Sequence, residues 1–248
     1  MATPTKKVTP VTLVKSWSFS RYADYCSCPL KFKLKHISKI TEPPNAAMAR
    51  GTDIHKLAED YLKGKLARLP AELNLMAAEF KRLRAIYKKR LSRMTVEETW
   101  AFTSTWTKTQ WNDWVGCWVR IKLDASHYEA DGTLVITDWK TGKFYEDKNE
   151  EYLEQLELYA LGAFLLDPDL KTVQPRLAYI DQGMFFPPEH EPLIYTRDDV
   201  TRLKETWNKR VAPLFKDRRF APKPNDKCRW CWYGAAKKKD GGPGLCKF

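Results

Sequence analysis

Ile121-Lys122-Leu123-Asp124-Ala125, then Thr133-Leu134-Val135-Ile136-Thr137-Asp138-Trp139-Lys140, then Glu154-Gln155-Leu156-Glu157-Leu158-Tyr159 decide how this chain is read. The first two stretches are short apolar runs ending in charge, the pattern of buried strands. Residues two apart on a strand share a face, so Asp138 and Lys140 project together. Asp131-Gly132 between the runs is a hairpin signal. It makes the two strands neighbours and brings Asp124 to the same spot. Two carboxylates held together repel, and a magnesium or manganese ion relieves that repulsion. A lysine beside them orients a water or neutralises a phosphate. These residue types suit metal-assisted phosphodiester hydrolysis.

The flanking chain supplies further candidates. Glu151 to Leu166 reads as a helix on which Gln155 and Tyr159, four apart, share a face. Both can bond a phosphate or hold Lys140. Ala46 to Lys63 reads as an earlier helix with His55 and Glu59 at the same spacing, so that imidazole and carboxylate reach one ion. Residues 71–93 carry a helical stripe of Leu73, Ala77, Phe80, Leu83, Ile86, Tyr87 and Leu91. Thr95 to Ala125 alternates like two antiparallel strands that turn near Gln110–Asp113, the second starting at Trp114. Glu98 is a supporting acid there, while Cys117 and the tryptophans are expected in the sheet and core. Val173–Ile180 reads as a strand, Met184–Tyr195 as a short strand broken by Pro187-Pro188, and Arg197–Phe215 as a final helix.

The chain has 248 residues and a net charge of +12. From Thr201 to Phe248 there are 14 Lys/Arg against 4 Asp/Glu, which points to a polyanionic partner, most simply DNA. No apolar run is long enough for a membrane helix. Residues 1–15, interrupted by Pro4 and Pro10, read as a loose arm. The arm lacks the apolar core of a secretory signal, so an intracellular location is expected, in the cytoplasm of a bacterial or virus-infected cell. In a reducing compartment, Cys228-Arg229-Trp230-Cys231 suggests a metal site or redox work. Cys246 is a third thiolate and Cys28 the obvious fourth, with Cys26 competing but lacking the Cys28-Pro29-x-x-Phe32 context, and four thiolates suit zinc or an iron–sulfur cluster.

Asp124, thirteen residues, Asp138-x-Lys140 and then Gln155-x-x-x-Tyr159 resemble the PD-(D/E)XK nuclease superfamily in its RecB-like branch. The Gly51-x-x-x-His55 spacing and the Ser18-x-Ser20…Tyr25-x-x-Cys28-Pro29-x-x-Phe32 segment resemble the same branch. The resemblance implies an α/β, restriction-endonuclease-like αβββαβ core. It implies a mixed twisted sheet of four to five strands with helices on both faces. The nuclease domain then spans residues 16–220, followed by a cysteine-rich tail at 221–248. It further implies Mg²⁺ or Mn²⁺ bound by His55, Asp124, Asp138 and the Trp139 carbonyl, with Lys140, Gln155 and Tyr159 completing the catalytic set. AddB-type and CRISPR-adaptation RecB-like nucleases place one cysteine before the core and three after it. That likeness implies a [4Fe–4S] cluster on Cys28, Cys228, Cys231 and Cys246, with Zn²⁺ as the alternative. Two features depart from the pattern. Arg120-Ile121-Lys122-Leu123 precedes Asp124 where the family often has G-x-x, and 14 residues separate Cys231 from Cys246. The expected function is a DNA exonuclease of recombination, repair or replication, alone or with a helicase or recombination protein. The alternative is a non-catalytic nucleic-acid-binding module on the same scaffold.

Overall fold

A computed structural model describes residues 13–89 and 93–248. Its helices are α1 Phe19–Ser27, α2 Pro29–Phe32, α3 Ala46–Leu62, α4 Ala77–Lys89, α5 Asn149–Leu166 and α6 Val200–Lys216. Its strands are β1 Met94–Phe102, β2 Val119–Tyr128, β3 Leu134–Lys140, β4 Thr172–Tyr179, β5 Met184–Phe186 and β6 Tyr195–Thr196. Two compact units result. Pro43–Asn208 forms one, and the other joins the residues up to Glu42 with Lys209–Phe248. Most of the expected arm, and Arg90 and Leu91 of the expected 71–93 helix, lie outside the described residues; Val14 within the arm is buried. Among the described residues no helix is long and apolar enough to cross a membrane.

In the larger unit α3, β1, β2, β3, α5 and β4 follow in αβββαβ order, with α4 added after α3. The sheet has six strands in the order β1-β2-β3-β4-β5, with β6 also on β4. Only β3 and β4 run parallel, as a strand–helix–strand crossover through α5 requires. The α/β class is as expected, with a sheet wider than four to five strands. β3 is buried along its length up to Lys140, because it lies mid-sheet with helices on both faces. On one face Ile54, Ala58, Phe80 and Leu83 pack with Val96, Ala125 and Trp139. On the other lies α5, apolar on nearly every side. It approaches so closely at Gly162 that an added Cβ would sit 2.8 Å from Trp100 and 2.9 Å from Ile121. Pro175 is tolerated within β4 because it falls where β4 has left β6 and not yet met β5.

Several boundaries differ from the sequence reading. The residues 71–76 form a 3-10 turn ahead of α4. The second strand of the first pair starts at Val119, not Trp114. Asp113 is the reason. Its carboxylate accepts from the N–H of Val115 at 3.1 Å and Gly116 at 2.7 Å, and from Thr109 Oγ1 at 2.7 Å. These bonds curl the backbone before it can enter the ladder. Cys117 is therefore buried in a loop rather than within a strand. The tryptophans also divide, since Trp17, Trp100, Trp106, Trp139 and Trp207 are buried whereas Trp111, Trp114 and Trp230 are exposed.

The smaller unit is knit by aromatic rings. Ser18 caps α1 by accepting from Arg21 N–H at 3.4 Å. Pro29 opens α2 and disfavours a helical residue before it, and Cys28 is extended, at φ −162° and ψ 112°. Phe32 stacks on Phe220 with centroids 6.0 Å apart, and Tyr25 meets both edge-on. Tyr25 OH also donates to Asp217. The buried Tyr233 anchors the tail by donating to the Ile40 carbonyl at 2.8 Å.

Candidate active site

The ladder between β2 and β3 runs only from Tyr128↔Leu134 to Ala125↔Thr137. Beyond it the two strands part, which frees the Trp139 N–H to donate to Asp124 Oδ2 at 2.7 Å. The other carboxylate oxygen, Asp124 Oδ1, meets His55 Nδ1 of α3 at 3.1 Å. Asp138 and Lys140 share a face of β3, and Lys140 Nζ lies 2.6 Å from Asp138 Oδ2. The ammonium is off the direction a hydrogen bond needs, so Oδ2 is buried without a hydrogen-bonded partner. Lys140 instead donates to Gln155 Oε1 at 3.0 Å. Gln155 Nε2 donates to Tyr159 OH at 2.7 Å, and Tyr159 OH donates to Asp138 Oδ1. The helical spacing of Gln155 and Tyr159 thus serves one carboxylate and one lysine.

The electrostatics reflect two carboxylates buried close together. Burial, and next the charge of Asp138, raise the Asp124 pKa above the ordinary carboxylate range. Burial lowers the His55 pKa, but the bond and charge of Asp124 outweigh it and the net shift is upward. Burial and then Asp138 hold Tyr159 well above its usual range, so it remains a neutral phenol that donates.

A residue that alternation does not select completes the group. His55, Glu97 and Asp124 each offer a ligand atom, and these atoms lie within 4.8 Å of one another. Strict alternation groups Glu98 with Val96 and Trp100 and sends Glu97 to the other side. Glu97 instead takes φ +60°, and the β1–β2 ladder skips it between Val96↔Ala125 and Glu98↔Leu123. β1 changes face there. Val96 packs with Ile54 and Ala58, whereas Trp100 packs against Gly162 of α5. The twist swings Glu97 beside Asp124, where Lys122 pairs with it at 2.5 Å. Glu98 accepts from Thr95 Oγ1 at 2.9 Å and is not part of that group. Glu59 lies outside the group and pairs with Lys63 at 2.8 Å and Lys56 at 3.1 Å. The adjacent pair Glu97-Glu98 was the one signal in the sequence.

Beside the group opens a cleft of about 700 Å³ whose walls include His55, Lys56, Glu59, Glu97, Lys122 and Thr141. The loop after Lys140 is tied to α3. Gly142 N–H donates to Asp181 Oδ2 at 2.6 Å, and Arg50 grips both oxygens of Asp181 at 2.8 and 2.6 Å. Gly142 takes φ +92°, which glycine adopts without strain.

A mixed sheet here presents carboxylates, an imidazole and a lysine at a strand end, residue types that can hold a divalent cation beside a phosphate. The chain belongs to the PD-(D/E)XK nuclease superfamily, whose model matches residues 16–236. Among solved structures it is similar to a protein of Eubacterium rectale provisionally described as an exonuclease. The identity is 13% and the TM-score 0.45, over 89% of this chain and 88% of that one. It is also similar to SSO0001 at 11% identity and TM-score 0.37, over 88% of this chain and 84% of that one. No curated protein sequence matches the chain.

The smaller unit holds a second donor set. Cys28, Cys228, Cys231 and Cys246 line one cavity of about 180 Å³ together with Leu30 and Leu34. Lys223 N–H donates to Cys28 Sγ at 3.4 Å, and Asn225 N–H to Cys228 Sγ at 3.3 Å. Burial raises the Cys231 pKa, against the pull of the Tyr233 amide and Lys31. Among the described residues no three of these sulfurs lie within 4.8 Å of one another. Cys26 is exposed and Cys117 buried, and neither lines the cavity.

Proposed function

We propose that the chain is a Mg²⁺- or Mn²⁺-dependent deoxyribonuclease acting as an exonuclease. The carrying observation is the convergence of His55, Glu97 and Asp124 beside the Asp138–Lys140 couple, in a chain of nuclease lineage. Carboxylate oxygens suit hard divalent ions, and the mutual repulsion of the two buried aspartates favours a cation between them. Asp124 and Asp138 would hold it, with His55, Glu97 and the Trp139 carbonyl as further donors. Bound there, the ion supplies positive charge for the pentacovalent phosphate and the leaving oxygen. The protein's own part is positioning. Lys140, held by Asp138 and Gln155, orients the attacking water or neutralises a phosphate oxygen. Tyr159 and Gln155 fix the Asp138 carboxylate in one rotamer, and Trp139 N–H does the same for Asp124. The setting in recombination, repair or replication, with a helicase or recombination protein as partner, rests on the resemblance.

The four cysteines are proposed to hold a [4Fe–4S] cluster. The four line one cavity, the amides of Lys223 and Asn225 aimed at sulfur suit thiolates, and a zinc ion on the same four ligands is the alternative.

The test is incubation with 5′- and 3′-labelled, single- and double-stranded DNA in Mg²⁺ or Mn²⁺, with chelator controls. Stepwise shortening from one end is expected. Tight binding with no cleavage in any metal would replace this reading by the non-catalytic module.

A further inference from the structure

The loop between β1 and β2 holds its aromatic residues in an unusual way. Trp114 is 79% exposed, Val115 98% and Trp111 42%. The loop is nonetheless firmly built. At its base the buried Trp106 meets Trp118 edge-on at 5.1 Å and donates through Nε1 to Asn208 at 3.1 Å. At its tip Asp113 accepts the three hydrogen bonds that curl the chain. Arg120 then braces the rings. Its guanidinium lies 5.6 Å from the Trp111 ring centre and 5.5 Å from that of Trp114, and its Nε donates to the Trp111 carbonyl at 3.0 Å. Two large rings are thus kept in water, in fixed places, around one cation.

β2 leads from these rings to the cleft. Arg120 and Lys122 are two apart and share a face. Lys122 lines the cleft and touches Glu97, which neighbours Asp124. One step of two residues is about 7 Å along a strand. The rings therefore stand a few nucleotide lengths from the carboxylates, at the end of a basic row.

We propose that Trp111, Trp114 and Arg120 form a stacking platform for single-stranded DNA whose strand runs along Arg120 and Lys122 into the cleft. This rests on the nuclease reading of that cleft. Every base presents a π-face, so exposed rings bind a single strand without reading its sequence, and the guanidinium adds attraction for phosphate and ring alike. In a duplex the base faces are already stacked on one another. The platform therefore selects single strands or frayed ends. A protein partner would use the rings differently, since it needs no basic row toward the carboxylates.

The experiment uses the full chain and a fluorescein-labelled twelve-nucleotide oligothymidine, with binding read by anisotropy in chelator so that nothing is cleaved. Trp111→Ala/Trp114→Ala should raise the Kd at least about tenfold and abolish quenching of tryptophan fluorescence by the oligomer. Trp111→Phe/Trp114→Phe should restore most of the binding. The Kd for a blunt duplex should move less than about twofold, and Mn²⁺-dependent hydrolysis of bis(p-nitrophenyl) phosphate should not change, because that small diester is too short to reach from the cleft to the rings. An unchanged Kd for the oligothymidine, or an equal loss for the duplex, with native circular dichroism, would overturn the platform. If wild type hydrolysed neither the diester nor DNA, the nuclease reading would fail, and the binding series would still decide the platform.

Discussion

His55, Glu97 and Asp124 stand on a helix and two paired strands, whereas Cys28, Cys228 and Cys231 stand at helix caps and on a short 3-10 turn. The scaffolds suit the donors. Strand backbone groups are consumed by the ladder, so buried carboxylates there must be neutralised by lysine, histidine or a cation. The free Trp139 N–H is an exception made by two parting strands. Caps and turns leave N–H groups unspent, and Lys223 and Asn225 turn theirs toward sulfur. The sheet fixes ligand geometry through packing from both sides. The cysteine unit has fewer buried side chains, and a bound centre there would add covalent constraint where the core is thin.

If that division holds, substitutions should separate by unit. Asp138→Ala should lower DNA hydrolysis by about a thousandfold, matching the several kcal/mol that metal charge stabilisation supplies. Its far-ultraviolet circular dichroism should stay native, and DNA binding should hold or tighten because a negative charge is gone. Cleavage at the wild-type rate would break the comparison at its first term.

Lys140→Ala comes next, with a fall of about a hundredfold in kcat and little change in metal affinity, since the group acts on the transition state. A rise in KM alone would make Lys140 a phosphate-binding residue.

Glu97→Ala should weaken Mn²⁺ binding about tenfold, read by calorimetry, while Glu98→Ala leaves it unchanged. The opposite order would restore the alternating reading of β1.

The smallest effect on chemistry is expected from Cys228→Ala. Hydrolysis of bis(p-nitrophenyl) phosphate should stay within about twofold, the scatter of independent sites, because no donor of the sheet site comes from this unit. If the proposed cluster is bound, the same substitution should remove iron and sulfide that the wild type carries, measured by chemical assay, and proteolysis should start between residues 221 and 248. Wild-type protein with neither iron nor zinc would remove the cluster from the comparison.

Sequence periodicity was enough for the contacts that lie within one element. Two-residue spacing put Asp138 and Lys140 side by side, and four-residue spacing put Gln155 and Tyr159 together. Pro29 biases Cys28 toward the extended backbone it adopts. These follow from local stereochemistry, which the neighbouring residues carry with them.

What needed the tertiary structure lies where an element leaves its own rule. Glu97 reaches the site because β1 turns its face at a residue with positive φ, and the packing of Val96 on α3 and Trp100 on α5 holds that turn. No pattern of residue types encodes it, since alternation favours Glu98. Trp111 and Trp114 have the composition of core residues, yet Asp113 draws their loop out of the ladder and Arg120 holds the rings in water. The meeting of Asp124 with the Trp139 N–H depends on where β2 and β3 stop pairing. Local spacing determines which side chains share a face. Which faces meet, and where a ladder opens, is decided by packing between parts of the chain that are far apart in sequence.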